Sequence, residues 1–163
     1  MKKKFLLGLL ASVIISTGLL AGCGEKKEAA PANSNSTTQA AFKDGNYKAE
    51  ASDFDERGWK PFAEMEVKDG KIASAKFDYV NKDGKFKTQD AGYNKAMEEK
   101  NKTSPVKYTK QLTDSLVAKQ DPAKVDTVTG ATTSTNNFKK LSTQLVENAK
   151  KGDTSVSKVT IGK

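Results

Sequence analysis

Asp69-Gly70 sits between two runs in which apolar and polar residues alternate, and this arrangement constrains the fold more than any other stretch of the chain. Before it, Ala63, Met65 and Val67 alternate with Glu64, Glu66 and Lys68. After it, Ala73, Ala75, Phe77 and Tyr79 alternate with Ser74, Lys76 and Asp78. A period of two sends successive side chains to opposite faces of a strand. Asp-Gly tolerates the positive φ angles that a two-residue hairpin turn requires. The two runs are therefore expected to form a hairpin with one buried face. Tyr47, Ala49 and Ala51 alternate with Lys48 and Glu50 upstream, after an Asp44-Gly45 turn. Asp83-Gly84 marks a further turn, with a short strand at Phe86. Together these elements predict an antiparallel meander.

Beyond Asp90 the period changes. Tyr93, Ala96, Met97 and Lys100 predict a helix over about 90–100. Ser104-Pro105 places a capping residue before a proline at the first helical position. Tyr108, Leu112 and Leu116 then line one face of a helix ending near Lys119, and Asp121-Pro122 breaks it. Phe138, Leu141, Leu145, Val146 and Ala149 predict a third helix over about 134–150, stopped by Lys151-Gly152. Val156, Val159 and Ile161 suggest a last strand that returns to the sheet. The expected class is α+β: a small antiparallel sheet with about three helices on one side. The folded part spans 42–163.

Asp126-Thr127-Val128-Thr129-Gly130-Ala131-Thr132-Thr133-Ser134-Thr135 leads into that third helix. Two readings of its hydroxyls stand side by side. They cap the helix, as Ser and Thr ordinarily do. Alternatively, small residues let a ligand's phosphate approach backbone N–H groups that lack intrahelical partners, where the dipole favours anions.

Thr129-Gly130-Ala131-Thr132, with Asp126 three residues ahead, resembles the flavinylation motif of the FMN-binding domain family. Gly45-Asn46-Tyr47-Lys48-Ala49 resembles the family's opening strand, and Val67-Lys68-Asp69-Gly70-Lys71-Ile72 its first hairpin. The resemblance covers most of 42–152. It implies covalent FMN on Thr132 through a phosphoester, installed by a separate Mg-dependent flavin transferase. Thr133 and Ser134 are neighbouring hydroxyls. The resemblance gives Asp126 one of two tasks, capping the turn or serving the transferase by binding Mg²⁺ or accepting the threonine proton. Many relatives carry a Glu-Thr-Pro-Gly-Leu-Gly-like loop beside the flavin ring; this chain has Asp90-Ala91-Gly92-Tyr93-Asn94 there. Tyr93, Asn94, Met97, Trp59 and Tyr108 are the candidates for contact with the ring, the aromatics by stacking and Met97 through sulfur. Trp59 is expected in a loop, Glu56-Arg57-Gly58-Trp59-Lys60-Pro61, outside the core.

Composition narrows the chemistry. The chain holds no histidine and one cysteine. Ser-His-Asp triads, histidine metal sites and multi-cysteine clusters are thereby excluded. Whatever chemistry occurs must come from carboxylates, hydroxyls or a borrowed cofactor, and no residue looks like a substrate-specific acid–base group, so turnover of a defined metabolite by this domain alone is not expected. The formal charge is +8, but the lysines are interspersed with Glu and Asp. That pattern suits a solvated surface and argues against a nucleic-acid groove.

The N-terminus carries an address. Lys2-Lys3-Lys4 precedes an uncharged, mostly apolar run from Phe5, which ends in Leu20-Ala21-Gly22-Cys23. Residues 1–22 read as a lipoprotein signal peptide, with Cys23 as the lipidated first residue of the mature protein. A retained transmembrane anchor is the rival, since the run is about long enough to span; a lone cysteine at the end of the apolar run favours lipidation. Residues 24–41 are charged and then rich in Ala, Pro, Asn, Ser and Thr, which predicts a disordered tether spanning roughly 20–25 Å. The whole therefore reads as a flavoprotein lipid-anchored on the extracellular face of the cell membrane. It would take electrons from a membrane quinol-linked donor and pass them to extracellular flavin or ferric iron. The alternative is a binding or structural lipoprotein, or a pheromone precursor, that uses the domain as a scaffold.

Overall fold

A computed structural model describes residues 42–162. The signal peptide, Cys23 and the tether lie outside the described residues. Strand β1 (Gly45–Ala51), strand β2 (Trp59–Lys68) and strand β3 (Lys71–Asn81) form the meander. A 3-10 turn (Lys87–Gln89) leads to helix α1 (Ala91–Asn101), then helix α2 (Pro105–Lys119). A second 3-10 turn (Pro122–Lys124) precedes helix α3 (Thr132–Lys151) and strand β4 (Ser157–Val159). The sheet order is β3-β2-β1-β4. The first three strands pair antiparallel, as expected; the short β4 adds to β1 in parallel, so the sheet is mixed.

The hairpin turns where the sequence places it. Asp69 and Gly70 have φ of 52° and 72°, the two positive values of a primed turn. Asp44 steadies it from the neighbouring strand: its carboxylate accepts from the N–H groups of Asp69 at 3.0 Å and Gly70 at 2.9 Å. Those two donors hold the Asp44 carboxyl below its ordinary pKa.

One expectation about β3 fails. Ala73 is exposed, and Ile72 is buried in its place. Val67 pairs with Ile72 while Glu66 pairs with Ser74, so Ala73 is the extra residue of a β-bulge. The bulge restores the alternation for Ala75, Phe77 and Tyr79. Gln120, at the C-terminal end of α2, covers the strand edge here: its amide accepts from the Ile72 N–H at 2.7 Å and donates to the Ile72 carbonyl at 2.9 Å.

Helix α2 packs on β3, and α3 packs on β1 and β2. Tyr47, Ala49, Ala63, Met65, Val67 and Phe77 meet Leu112, Leu116, Phe138, Leu141 and Leu145 in one core. Each large side chain buried there contributes roughly 1.5–3 kcal/mol. Helix α1 buries no residue fully. Asp90 caps it by accepting from the Tyr93 N–H, and Pro105 starts α2 as expected, but Ser104 makes no side-chain capping bond. Gly152 ends α3 at φ 77°. The opposite sheet face is charged; Phe62 is buried there beside the Phe86 ring, 5.7 Å between centroids.

Candidate functional site

Helix α3 starts two residues earlier than its apolar period suggests, so Thr132 is its first helical residue and Ala131 its N-cap. Ala131 has no side chain with which to cap, and no side-chain hydrogen bond closes this end of the helix. The capping reading of the hydroxyl string is therefore not what the helix uses. No acidic residue stands in the first turn. Uncapped N–H groups and the positive end of the dipole together favour an anion at this point.

The loop before the helix is built to a fixed shape. Ala131 N–H donates to the Val128 carbonyl at 2.9 Å, closing a turn with Gly130 in its third position at φ 79°. Gly130 is required for a second reason: a Cβ there would lie 2.6 Å from the Asn101 carbonyl oxygen. The glycine thus serves packing against the end of α1. Thr135 is fully buried; its Oγ1 donates to the Ala131 carbonyl at 3.0 Å and accepts from the Val128 N–H at 3.2 Å.

These roles sort the hydroxyls. Thr135 is structural. Ser134 is half-buried, and its Oγ accepts from the Tyr79 hydroxyl at 3.1 Å. Thr129, Thr132 and Thr133 are exposed, with Thr132 at the helix start. Asp126 is exposed and does not cap the turn; its carboxylate takes a hydrogen bond from Lys119 at 2.6 Å, which holds its pKa down. It stays open to solvent on its other side.

The other sequence-predicted residues divide. Trp59 is not in a loop: it is the first residue of β2, half-buried against the core, where it pairs with Asn81. Tyr93 and Met97 are half-buried on α1. Tyr108 is buried in the core, so it cannot offer a ring face to a ligand; burial pushes its phenol pKa up. The Asn94 amide is spent on the fold. Its Nδ2 donates to the Thr88 carbonyl at 3.0 Å and the Asp90 carbonyl at 2.7 Å, and its Oδ1 accepts from the Val106 N–H at 3.2 Å.

Two residues that were not expected at the site join this group. Tyr79, read only as an inward strand residue, links the sheet to α3: besides Ser134, its hydroxyl accepts from the Asn137 amide at 3.2 Å. Burial pushes its pKa up against those two bonds. Lys87 is buried, with its Nζ 4.6 Å from the Tyr79 ring centroid, 4.7 Å from Tyr93 and 5.4 Å from Trp59. A run of contacts therefore leads from Trp59 through Lys87 and Tyr79 to Ser134 in the first turn of α3. Trp59 also lines a cleft of about 600 Å³, together with Asn81, Phe86, Gln89 and Asp90. That volume suits a small molecule. An uncapped helix start with a free hydroxyl, beside partly exposed aromatic side chains, fits a phosphorylated aromatic cofactor.

Residues 58–147 match the model of the FMN-binding domain. The span runs from the start of β2 into α3 and includes every site residue described above. The 15 kDa lipoprotein of Treponema pallidum (strain Nichols) is 40% identical over 114 residues, covering 70% of this chain and 81% of that protein. The crystal structure of a Clostridium perfringens protein superposes with a TM-score of 0.72 at 36% identity, covering 74% of this chain and 99% of the other.

Proposed function

The chain belongs to the FMN-binding domain family, and from that premise we propose that it is a lipid-anchored flavoprotein carrying FMN through a phosphoester to Thr132. In this reading it relays electrons from a quinol-linked donor in the membrane to soluble flavin or ferric iron outside the cell. The observation that carries the attachment is the exposed Thr132 at the uncapped start of α3. Bound FMN supplies the redox chemistry, and the chain supplies its place. First-turn N–H groups and the α3 dipole receive the phosphate oxygens. Gly130 and Thr135 fix the loop so that the Thr132 hydroxyl projects from a rigid turn. Asp126 remains accessible for the Mg-dependent transferase, as a metal ligand or as acceptor of the threonine proton. Trp59, Tyr93 and Met97 offer apolar surface to the ring.

The anchor rests on Cys23 and its preceding apolar run, and the name of the Treponema relative supports it. Among the described residues no helix is long and apolar enough to cross a membrane. An acylated Cys23 with more than one chain would hold the protein at the surface, since each buried CH₂ adds about 0.8 kcal/mol. Expression with and without the flavin transferase tests the reading. With it, the protein runs on a denaturing gel as a fluorescent band; Thr132→Ala abolishes the band and Thr133→Ala keeps it. A colourless wild-type protein from cells with an active transferase contradicts the proposal.

A further inference from the structure

Lys87 carries a positive charge into the interior and makes no ion pair there among the described residues. It is 6% exposed. Three rings from three elements surround its Nζ: Tyr79 of β3, Tyr93 of α1 and Trp59 of β2, at 4.6, 4.7 and 5.4 Å. Ring faces attract a cation by about 0.5–2 kcal/mol each. Taking an ammonium out of water costs several kcal/mol, so the rings offset much of that cost but do not explain why a charge is kept here.

The backbone that carries Lys87 is pinned from two sides. Asp78 accepts from the Thr88 N–H at 3.3 Å and the Thr88 hydroxyl at 2.5 Å. Asn94 donates to the carbonyls of Lys87 and Thr88 at 3.3 and 3.0 Å. The buried Asp78 carboxylate is thus spent on Thr88 and on the Tyr79 N–H. The charges facing Lys87 are Asp55 and Arg57 from the loop between β1 and β2, and Asp78 from β3; burial lowers its pKa, Asp55 and Asp78 raise it, and Arg57 lowers it. Tyr79 then connects the cage to Ser134 in the first turn of α3.

Resting on the flavin reading above, we infer that Lys87 is the cation that meets the negative charge gained by a reduced flavin ring, and that it thereby sets the cofactor's midpoint potential. On reduction two electrons from the donor and one proton from water enter the ring, which keeps one negative charge. Lys87 holds its own proton throughout. Trp59 and Tyr93 are half-buried, which leaves part of each ring open to a stacked flavin, and a cation held behind them favours the charged state of that flavin over the neutral one. The phosphate, in contrast, is held at α3 and does not need Lys87.

The test is redox titration of the flavin-loaded full chain at neutral pH, followed by absorbance. In Lys87→Met the reduced form should lose at least about tenfold in stability relative to the oxidised form, a fall of about 30 mV for a two-electron couple. Methionine fills the same aromatic cage, so folding and covalent loading are retained; Lys87→Gln carries the same comparison should the methionine variant not load. Lys87→Arg should keep the wild-type potential. An unchanged potential in the loaded Lys87→Met or Lys87→Gln protein, or an equal fall in Lys87→Arg, overturns the inference while leaving covalent flavin intact. A wild-type chain that stays unloaded in the presence of the transferase fails the flavin reading itself, and mass alone distinguishes that case.

Discussion

Gly130 lies so close to Asn101 that a Cβ at position 130 would come within 2.6 Å of the Asn101 carbonyl oxygen. Gly130 also stands at φ 79°, in the left-handed region where a side chain costs roughly 1–2 kcal/mol. Gly130→Ala should therefore destabilise the full chain by on the order of 2 kcal/mol or more and displace the loop that presents Thr132. Urea unfolding measures the first effect, and the fraction of protein carrying flavin measures the second. An alanine variant with wild-type midpoint and full loading would show that the contact with α1 is dispensable.

Thr135 holds the same loop from the helix side. Thr135→Val keeps the volume but leaves the buried Val128 N–H without its acceptor, at a cost of about 1–3 kcal/mol. Thr135→Ser keeps the hydroxyl and should recover most of that loss. Amide hydrogen exchange at Val128 gives a local readout: faster exchange in the valine variant alone is the expected pattern.

Asn94 was a candidate ring contact, yet its amide is occupied by backbone groups of the 3-10 turn, α1 and α2. Asn94→Ala should lower stability by about 1–3 kcal/mol, while the absorption maximum of the loaded flavin stays in place. A shifted flavin spectrum with unchanged stability would return Asn94 to the ring.

Glu50 ties β4 to the sheet. Lys158 and then Lys60 hold its carboxyl below the ordinary value of 4.5. A carboxylate with a depressed folded pKa contributes stability above about pH 4.5 and loses it as pH falls through the folded value. Stability should accordingly fall in that window in the wild type and less so in Glu50→Gln. The effect is on the order of 1 kcal/mol and shrinks with added salt. Parallel pH curves for the two proteins would remove Glu50 from the account.

Local chemistry explains which parts of this structure were readable in the sequence. Asp69-Gly70, Pro105 and Gly152 each dictate a backbone conformation by themselves, so the hairpin, the start of α2 and the end of α3 fall where expected. The Thr129–Thr132 string pointed to the FMN-binding domain family because its residue types and spacing are specific. The bulge at Ala73 depends on register with Glu66 and Val67 across the hairpin, which alternation within one strand does not contain. Lys87 is buried by rings from β2, β3 and α1, and nothing near it in the chain separates it from the exposed lysines at 82 and 85. Trp59 followed a turn-rich stretch and was expected outside the core; pairing with Asn81 draws it into the sheet instead. The parallel pairing of β4 likewise depends on where α3 delivers the chain.

Peptide mapping of the mature protein, isolated from cells with an active flavin transferase, decides whether Thr132 carries the flavin. Trypsin should release a single peptide running from Val125 to Lys139. This peptide should carry one FMN less one water, and fragment ions should place the added mass on Thr132. An unmodified peptide, or the mass on Thr133, Ser134 or Thr129, would contradict it.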